Sequence, residues 1–353
     1  MATAFDKLAF EATQTARVGW FFGQKLLAQR LTRPVELPPR LRRRRVPDRR
    51  YLLADLRRLF EEDWRNIAAG IYAMPEGWRG NPLAELRRAI DFFSDLRAVE
   101  ARRHGSAADR VPHAAPDGRY PRYYLQNFHF QSDGWLSDAS AGRYDHQVEV
   151  LFGGGAAAMR RQALVPLRAA LRQRAESALA PRLLEIGCGT GEFLGEVKRN
   201  YPRLAVTGLD LSPHYLALSR RRLAAWSRVE LVEAAAEAMP FGDAAFDVVA
   251  CIYLLHELPP RTRHAVVAEM RRVLRPGGTV ILLDSLQTGD RPEYDPLLDF
   301  FPIAFHEPYY AGYLRENLDL LFNPGFARES CAFAYFSKLA VYRRDRDSAV
   351  HNI

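Results

Sequence analysis

From Arg182 onward the chain alternates short apolar, β-branched runs with helical patterns. RLLEIG, LAVTGLD, VELVEAA, FDVVACIYLL and GTVILLDSL are separated by EFLGEVKRN, PHYLALSRRRLAA and RTRHAVVAEMRRVL. This rhythm predicts βαβ units, hence an α/β fold with a parallel sheet buried on both faces. Near the end, RESCAFAYF and SKLAVYRRD lie almost end to end, as expected of an antiparallel hairpin added at an edge.

The turn after the first predicted strand runs Glu185, Ile186, Gly187, Cys188, Gly189, Thr190, Gly191, and a helix follows from Glu192. Glycines there let the backbone bend sharply and let a ligand approach without a Cβ in the way. The spacing is G-x-G-x-G, whereas the dinucleotide fingerprint is G-x-G-x-x-G. Glu192 occupies the third fingerprint position, where its carboxylate would repel a pyrophosphate, so NAD and FAD are disfavoured. The second strand ends at Asp210, placed to accept hydrogen bonds from ribose hydroxyls. A nucleoside ligand without a pyrophosphate fits these residues better.

LLEIGCGTGEFL, VTGLDLSPHYL, AEAMPF, FDVVACIYLLHEL and LRPGG occur in that order. They resemble the successive motifs of class I S-adenosylmethionine-dependent methyltransferases, in the branch that includes quinone-ring C-methyltransferases. The resemblance covers roughly residues 180–285. It implies a Rossmann-like, seven-stranded, mostly parallel sheet with an antiparallel C-terminal strand, and S-adenosyl-L-methionine as cofactor. Glu185, Gly187, Cys188, Gly189 and Gly191 would then hold the methionine portion and Asp210 the ribose, while Leu211 and Met239 would sandwich the adenine. Tyr253 would also face the cofactor. Where the family often has an aspartate for the adenine amino group, this chain has Ala235, which leaves that contact to Glu237 or to backbone carbonyls.

Topology places His256 and Glu257 beyond the carboxyl end of strand four, near the methyl group. A histidine there can accept a proton from the acceptor; Glu257 is expected to cap the next helix or face solvent. An insertion at about 287–325 carries a second His-Glu pair, His306 and Glu307, among Phe300, Phe301, Phe305, Tyr309, Tyr310 and Tyr313. In this family such insertions shape the substrate pocket, and these aromatics suggest an apolar, planar or long-chain acceptor. Metal binding is set aside because neither pair has the H-E-x-x-H spacing.

The N-terminal region, 1–115, reads as helical. Trp20, Phe21, Leu26, Leu27 and Leu31 mark one apolar face; Leu52, Leu56, Leu59, Phe60, Trp64, Ile67 and Ile71 mark another. Residues 116–160 form a connector expected to act as a lid, and 161–353 the methyltransferase core. Within the connector, QNFHFQSDGWLSD precedes Tyr144-Asp145, a pair that folds back over the cofactor in many relatives. Tyr144 is therefore placed on the cofactor, with Phe128, His129, Phe130 and Trp135 on the acceptor side. His129, His256 and His306 are the candidate catalytic groups.

The three cysteines, Cys188, Cys251 and Cys331, are widely spaced, which suggests neither a disulfide framework nor a thiolate metal site. Much of the net charge of +8 comes from an arginine run between Arg40 and Arg50. That run reads as a solvated segment, with contact to phospholipid or RNA as the alternative. No apolar run reaches the about 20 residues that cross a bilayer, and the N-terminus lacks a secretory pattern. The expected location is cytoplasmic, with peripheral membrane contact through the first helix and the arginine run as a further option. The expected partner is a small-molecule acceptor and nucleic acid is disfavoured. An RNA or protein methyltransferase and a non-catalytic assembly protein are the competing functions.

Overall fold

The computed structural model describes residues 3–76, 82–104, 118–131, 133–174 and 180–346. Seven strands form one sheet: β1 (Arg182–Ile186), β2 (Ala205–Asp210), β3 (Val229–Glu233), β4 (Phe246–Ile252), β5 (Leu274–Ser285), β6 (Phe326–Ala334) and β7 (Ser337–Arg344). Their order is β3-β2-β1-β4-β5-β7-β6. The first five are parallel, β7 pairs antiparallel with β5, and β6 pairs antiparallel with β7. The strand order reverses beside β1, which opens a crevice at the carboxyl ends of β1 and β4.

β4 is buried along its whole length, as a central strand covered by helices on both faces requires. Before the sheet come α1 (Ala4–Leu31), α2 (Pro39–Arg42), α3 (Arg49–Ala68), α4 (Pro82–His104), α5 (Asp138–Leu151), α6 (Ala156–Arg161) and α7 (Leu164–Arg174). Between strands lie α8 (Glu192–Asn200), α9 (Pro213–Leu223) and α10 (Pro260–Val273), each at the predicted place. The β5 to β6 connection holds α11 (Asp295–Phe305), α12 (Tyr310–Tyr313) and α13 (Leu318–Phe322), inside the insertion read from sequence.

The N-terminal helices pack onto the sheet domain rather than standing apart from it. Leu56 and Leu59 of α3 share a buried cluster with Met159, Tyr294 and Leu298. Asp55 receives a two-pronged salt bridge from Arg291, at 2.6 and 3.0 Å, and a 2.6 Å hydrogen bond from Tyr294. Arg161 of α6 bonds the fully buried Asp63 of α3. These charges are buried because each has its partner in place.

The expected face of the first helix is only partly buried. Phe21 is in the core, but Leu27 and Leu31 are exposed, since the contacts of α1 with α5 and α3 run along the side that carries Phe10, Gln14, Phe21 and Gln24. In the arginine run, Arg44 pairs with Asp299 of α11, so this stretch is attached to the insertion. The boundary expected at residue 115 lies outside the described residues.

Candidate functional site

The first strand enters the site through a turn that only glycines fit. Gly187, Gly189 and Gly191 all have positive φ, at 65°, 52° and 78°. A Cβ on Gly191 would stand 2.4 Å from Ser219 Oγ. The glycine loop forms one wall of a cavity at the carboxyl ends of β1, β2 and β4.

Glu185 sits at the base of this cavity, buried, with Oε2 free of any hydrogen bond. Burial raises its pKa well above the usual carboxylate range, and Arg160 opposes that shift. A ligand ammonium would satisfy the orphaned oxygen, so the site fits the amino-acid end of S-adenosylmethionine. Asp210 also lines the cavity. Its oxygens accept from Gly189 N and Ser212 N, both at 2.8 Å, which fixes the carboxylate rotamer at the end of β2. Leu211, Cys188, Ala235 and Tyr253 line the cavity too.

Two adenine-side expectations fail. Met239 is buried in the hydrophobic core with Phe246 and Met270, its backbone N–H tied to Glu269 Oε2 at 2.7 Å, and it is not among the residues lining the cavity. Glu237 is not a lining residue either: its two oxygens lie 2.7 and 2.8 Å from Tyr123 Oη and accept that hydroxyl's hydrogen bond. Tyr123 itself faces the cavity, as does Tyr124. Sequence reasoning passed over both, although the tyrosine density of RYPRYY was a usable signal.

The connector covers this cavity. Tyr144 lines it as expected, and Asp145 ties α5 to the glycine loop by accepting from Thr190 Oγ1 at 2.7 Å and pairing with Arg222 at 2.8 Å. Arg222 also reaches Glu192 at 2.7 Å, so that carboxylate is compensated. Phe128 and Trp135 stand on the cofactor cavity, not on an acceptor side, stacked with centroids 5.6 Å apart. Ser212 Oγ donates to Trp135 O at 2.6 Å and anchors the connector to the end of β2.

A second cavity of about 400 Å³ lies between α1, α4, α5 and α11. Phe92, Leu96, Val99, Phe300, Ala304 and Phe305 make it apolar, and Lys25, Arg33 and Arg103 add positive charge. Tyr144 and Val148 line both cavities and form the partition between them. His129 lines the second cavity, while Glu257 faces the first.

Several expected acceptor residues are elsewhere. Phe130 packs on His306, with ring centroids 5.4 Å apart. Tyr310 bonds Ser285 Oγ, and Tyr313 donates to Ser285 O at 2.9 Å. Both tyrosine rings wall in His256. Tyr309 packs against Phe128 behind the connector. His306 ends α11 with φ 49° and lines neither cavity.

His256 is buried, and its Nδ1 lies 2.6 Å from Asp284 Oδ1. Burial alone would lower its pKa, but the charge and hydrogen bond of Asp284, with Glu257 and Glu307, raise it to about 9. It is therefore an imidazolium at neutral pH, not the free base expected. Glu257 neither caps a helix nor faces solvent; burial raises its pKa to about 7 against the opposing charge of His256. His129, Glu257 and Glu307 converge, with ligand atoms all within 4.8 Å of one another. These three residues are far apart in sequence, so the H-E-x-x-H spacing of adjacent pairs has no bearing on them.

A family described as a methyltransferase domain matches residues 183–278. A ubiquinone/menaquinone biosynthesis C-methyltransferase of Desulfotalea psychrophila is 30% identical over 202 residues, which are 57% of this chain and 72% of that protein. The chain belongs to the class I S-adenosylmethionine-dependent methyltransferases. A demethylmenaquinone methyltransferase of Deinococcus radiodurans is 36% identical to this methyltransferase over 117 residues, 32% of this chain and 48% of that one. A sterol 4-C-methyltransferase of Caenorhabditis elegans is 31% identical over 132 residues, 36% of this chain and 38% of that one. The methyltransferase thus spans about half or less of these last two relatives. Among solved structures, an N-methyltransferase of Bradyrhizobium japonicum in complex with S-adenosyl-L-homocysteine is similar, with a TM-score of 0.40 and 18% identity over 52% of this chain and 86% of that one.

Proposed function

We propose that this methyltransferase acts on an apolar, lipid-like acceptor held between α1, α4, α5 and α11. The observation that carries this reading is the apolar cavity that shares Tyr144 and Val148 with the cofactor cavity. It is of the size that small-molecule sites usually have. Quinone and sterol ring substrates in the names of the relatives agree with an acceptor of this class.

S-adenosylmethionine supplies an electrophilic methyl group on a sulfonium. Glu185 and the glycine loop would hold its amino-acid end and Asp210 its ribose. The chain's own contribution is then positioning and the exclusion of water. Tyr123, Tyr124, Phe128, Trp135 and Tyr144 cover the cofactor cavity from the connector, and Asp145 keeps α5 pressed against the glycine loop. The reactive end of the acceptor is held between His129 and Glu257, with Glu307 buried behind them. His256 keeps its proton beside Asp284 and adds positive charge there, which offsets the buried carboxylates.

Incubation with methyl-labelled cofactor and a cell extract divided into lipid, RNA and protein fractions tests the proposal. Label should enter the lipid fraction; label in RNA or protein alone would overturn it.

A further inference from the structure

His129, Glu257 and Glu307 come from three separate segments: the connector, the turn after β4, and the end of α11. Their ligand atoms lie within 4.8 Å of one another, the spacing of donors around one ion. Glu307 is 1% exposed, and neither of its oxygens has a hydrogen-bond partner. The Nε2 of His129 is likewise buried without one, 3.2 Å from Glu307 Oε1. Orphaned polar atoms at this depth are costly, and buried carboxylates otherwise pair or coordinate metals.

The backbone is strained where it presents two of these groups. His129 and Phe130 both have φ 55°, and His306, which precedes Glu307, has φ 49°. Each is a non-glycine residue in the left-handed region, and such strain clusters at functional sites. His256 stands beside the group as a cation, its Nδ1 bonded to Asp284 and its Nε2 4.0 Å from Glu257 Oε1.

We propose that His129, Glu257 and Glu307 bind a divalent transition-metal ion. Imidazole and carboxylate donors without a thiolate select Mn²⁺, Fe²⁺ or Zn²⁺. The position gives the ion a role that rests on the reading above. His129 opens on the acceptor cavity and Glu257 on the cofactor cavity, so a ligand oxygen of the acceptor reaches the ion while its neighbouring carbon or the oxygen itself faces the methyl group. A cation there would lower the pKa of an acceptor hydroxyl, whose proton passes to solvent, and hold the resulting anion. The new bond to the methyl group forms as the S–CH₃ bond breaks and S-adenosylhomocysteine leaves, and a methylated ring carbon then loses its own proton. The acceptor class is thereby narrowed to an apolar molecule with a phenolic or enolic oxygen at one end.

The test uses the full chain, dialysed against a chelator and titrated with MnCl₂ while the free-ion electron paramagnetic resonance signal is followed. One Mn²⁺ per chain should bind. Glu307→Gln, which keeps the shape, and His129→Asn, which keeps a residue tolerant of positive φ, should each weaken binding about tenfold or more. Cofactor affinity by equilibrium dialysis and the far-ultraviolet circular dichroism spectrum serve as controls and should not change. Absence of saturable binding of both Mn²⁺ and Zn²⁺, or equal affinity in both variants and wild type, would overturn the site. Ion binding without cofactor binding would retain the site and reject the methyl-transfer reading.

Discussion

Thr190 Oγ1 donates a 2.7 Å hydrogen bond to Asp145 Oδ1, joining the glycine loop to the helix that carries Tyr144. Arg222 holds the other oxygen of Asp145 at 2.8 Å and bonds Thr190 O as well. The cover of the cofactor cavity is thus fixed by a charged residue at the cavity's own rim. Replacing Asp145 by Asn removes the charge that Arg222 and Thr190 both use. Hydrogen bonds to charged groups contribute about 1.5 to 3 kcal/mol, so cofactor affinity should fall about tenfold in equilibrium dialysis. An unchanged dissociation constant would mean that α5 holds its position without this contact.

Glu185 makes a different prediction, because it is buried and lacks a partner at Oε2. In Glu185→Gln the charge complementary to the cofactor ammonium is lost, and affinity should drop by about tenfold or more. The ligand-free protein should melt no lower, and somewhat higher, because a buried carboxylate has been replaced by a neutral group of the same shape. Dialysis and a thermal melt on the same preparation separate the two effects. A lower melting temperature with retained affinity would reassign Glu185 to the fold.

The sheet and the glycine turn were legible because their signals are local. Residues 182–285 carry β-branched runs at strand length, and Gly187, Gly189 and Gly191 occupy positions whose positive φ a sequence pattern can anticipate. Met239 shows where such reading stops: the motif locates it, but which loop residues reach the cavity depends on packing and on anchors such as Glu269, 30 residues away, which holds the backbone of Met239. The same holds for the acceptor side. Phe92, Val99 and Phe305 line one cavity only because the tertiary fold sets α4, α5 and α11 around it, and nothing periodic within any one helix announces a cavity. His129, Glu257 and Glu307 are likewise brought together by tertiary structure alone.

Val99 allows the two cavities to be separated. It lines only the apolar one, so Val99→Trp should fill acceptor space and leave the cofactor site intact. The expected result is a loss of label transfer into the lipid fraction of about tenfold or more, with cofactor affinity within about twofold of wild type. Equal losses in both measurements would point to a distorted fold, and no loss in either would place the acceptor outside this cavity.

His146 predicts how stability depends on pH. It is buried between Phe21 and Phe92, with Nε2 2.8 Å from Gln24 Oε1. Burial, reinforced by the nearby Arg88 and opposed by Glu149, lowers its pKa to about 4. The unfolded chain, with a histidine pKa of about 6.5, therefore binds the proton more readily than the folded one. Stability from this group is complete above about pH 6.5 and is lost as pH falls toward 4. The buried His129, lowered to about 3, acts in the same direction, whereas His256, raised to about 9, acts in the opposite direction and over a higher range. The informative quantity is therefore a difference between proteins. The melting temperature of wild type should fall between pH 7 and pH 5 by more than that of His146→Gln, which retains a polar side chain beside Gln24 but does not titrate. Parallel curves for the two proteins would show that His146 accepts its proton without disturbing the contact between α1 and α5.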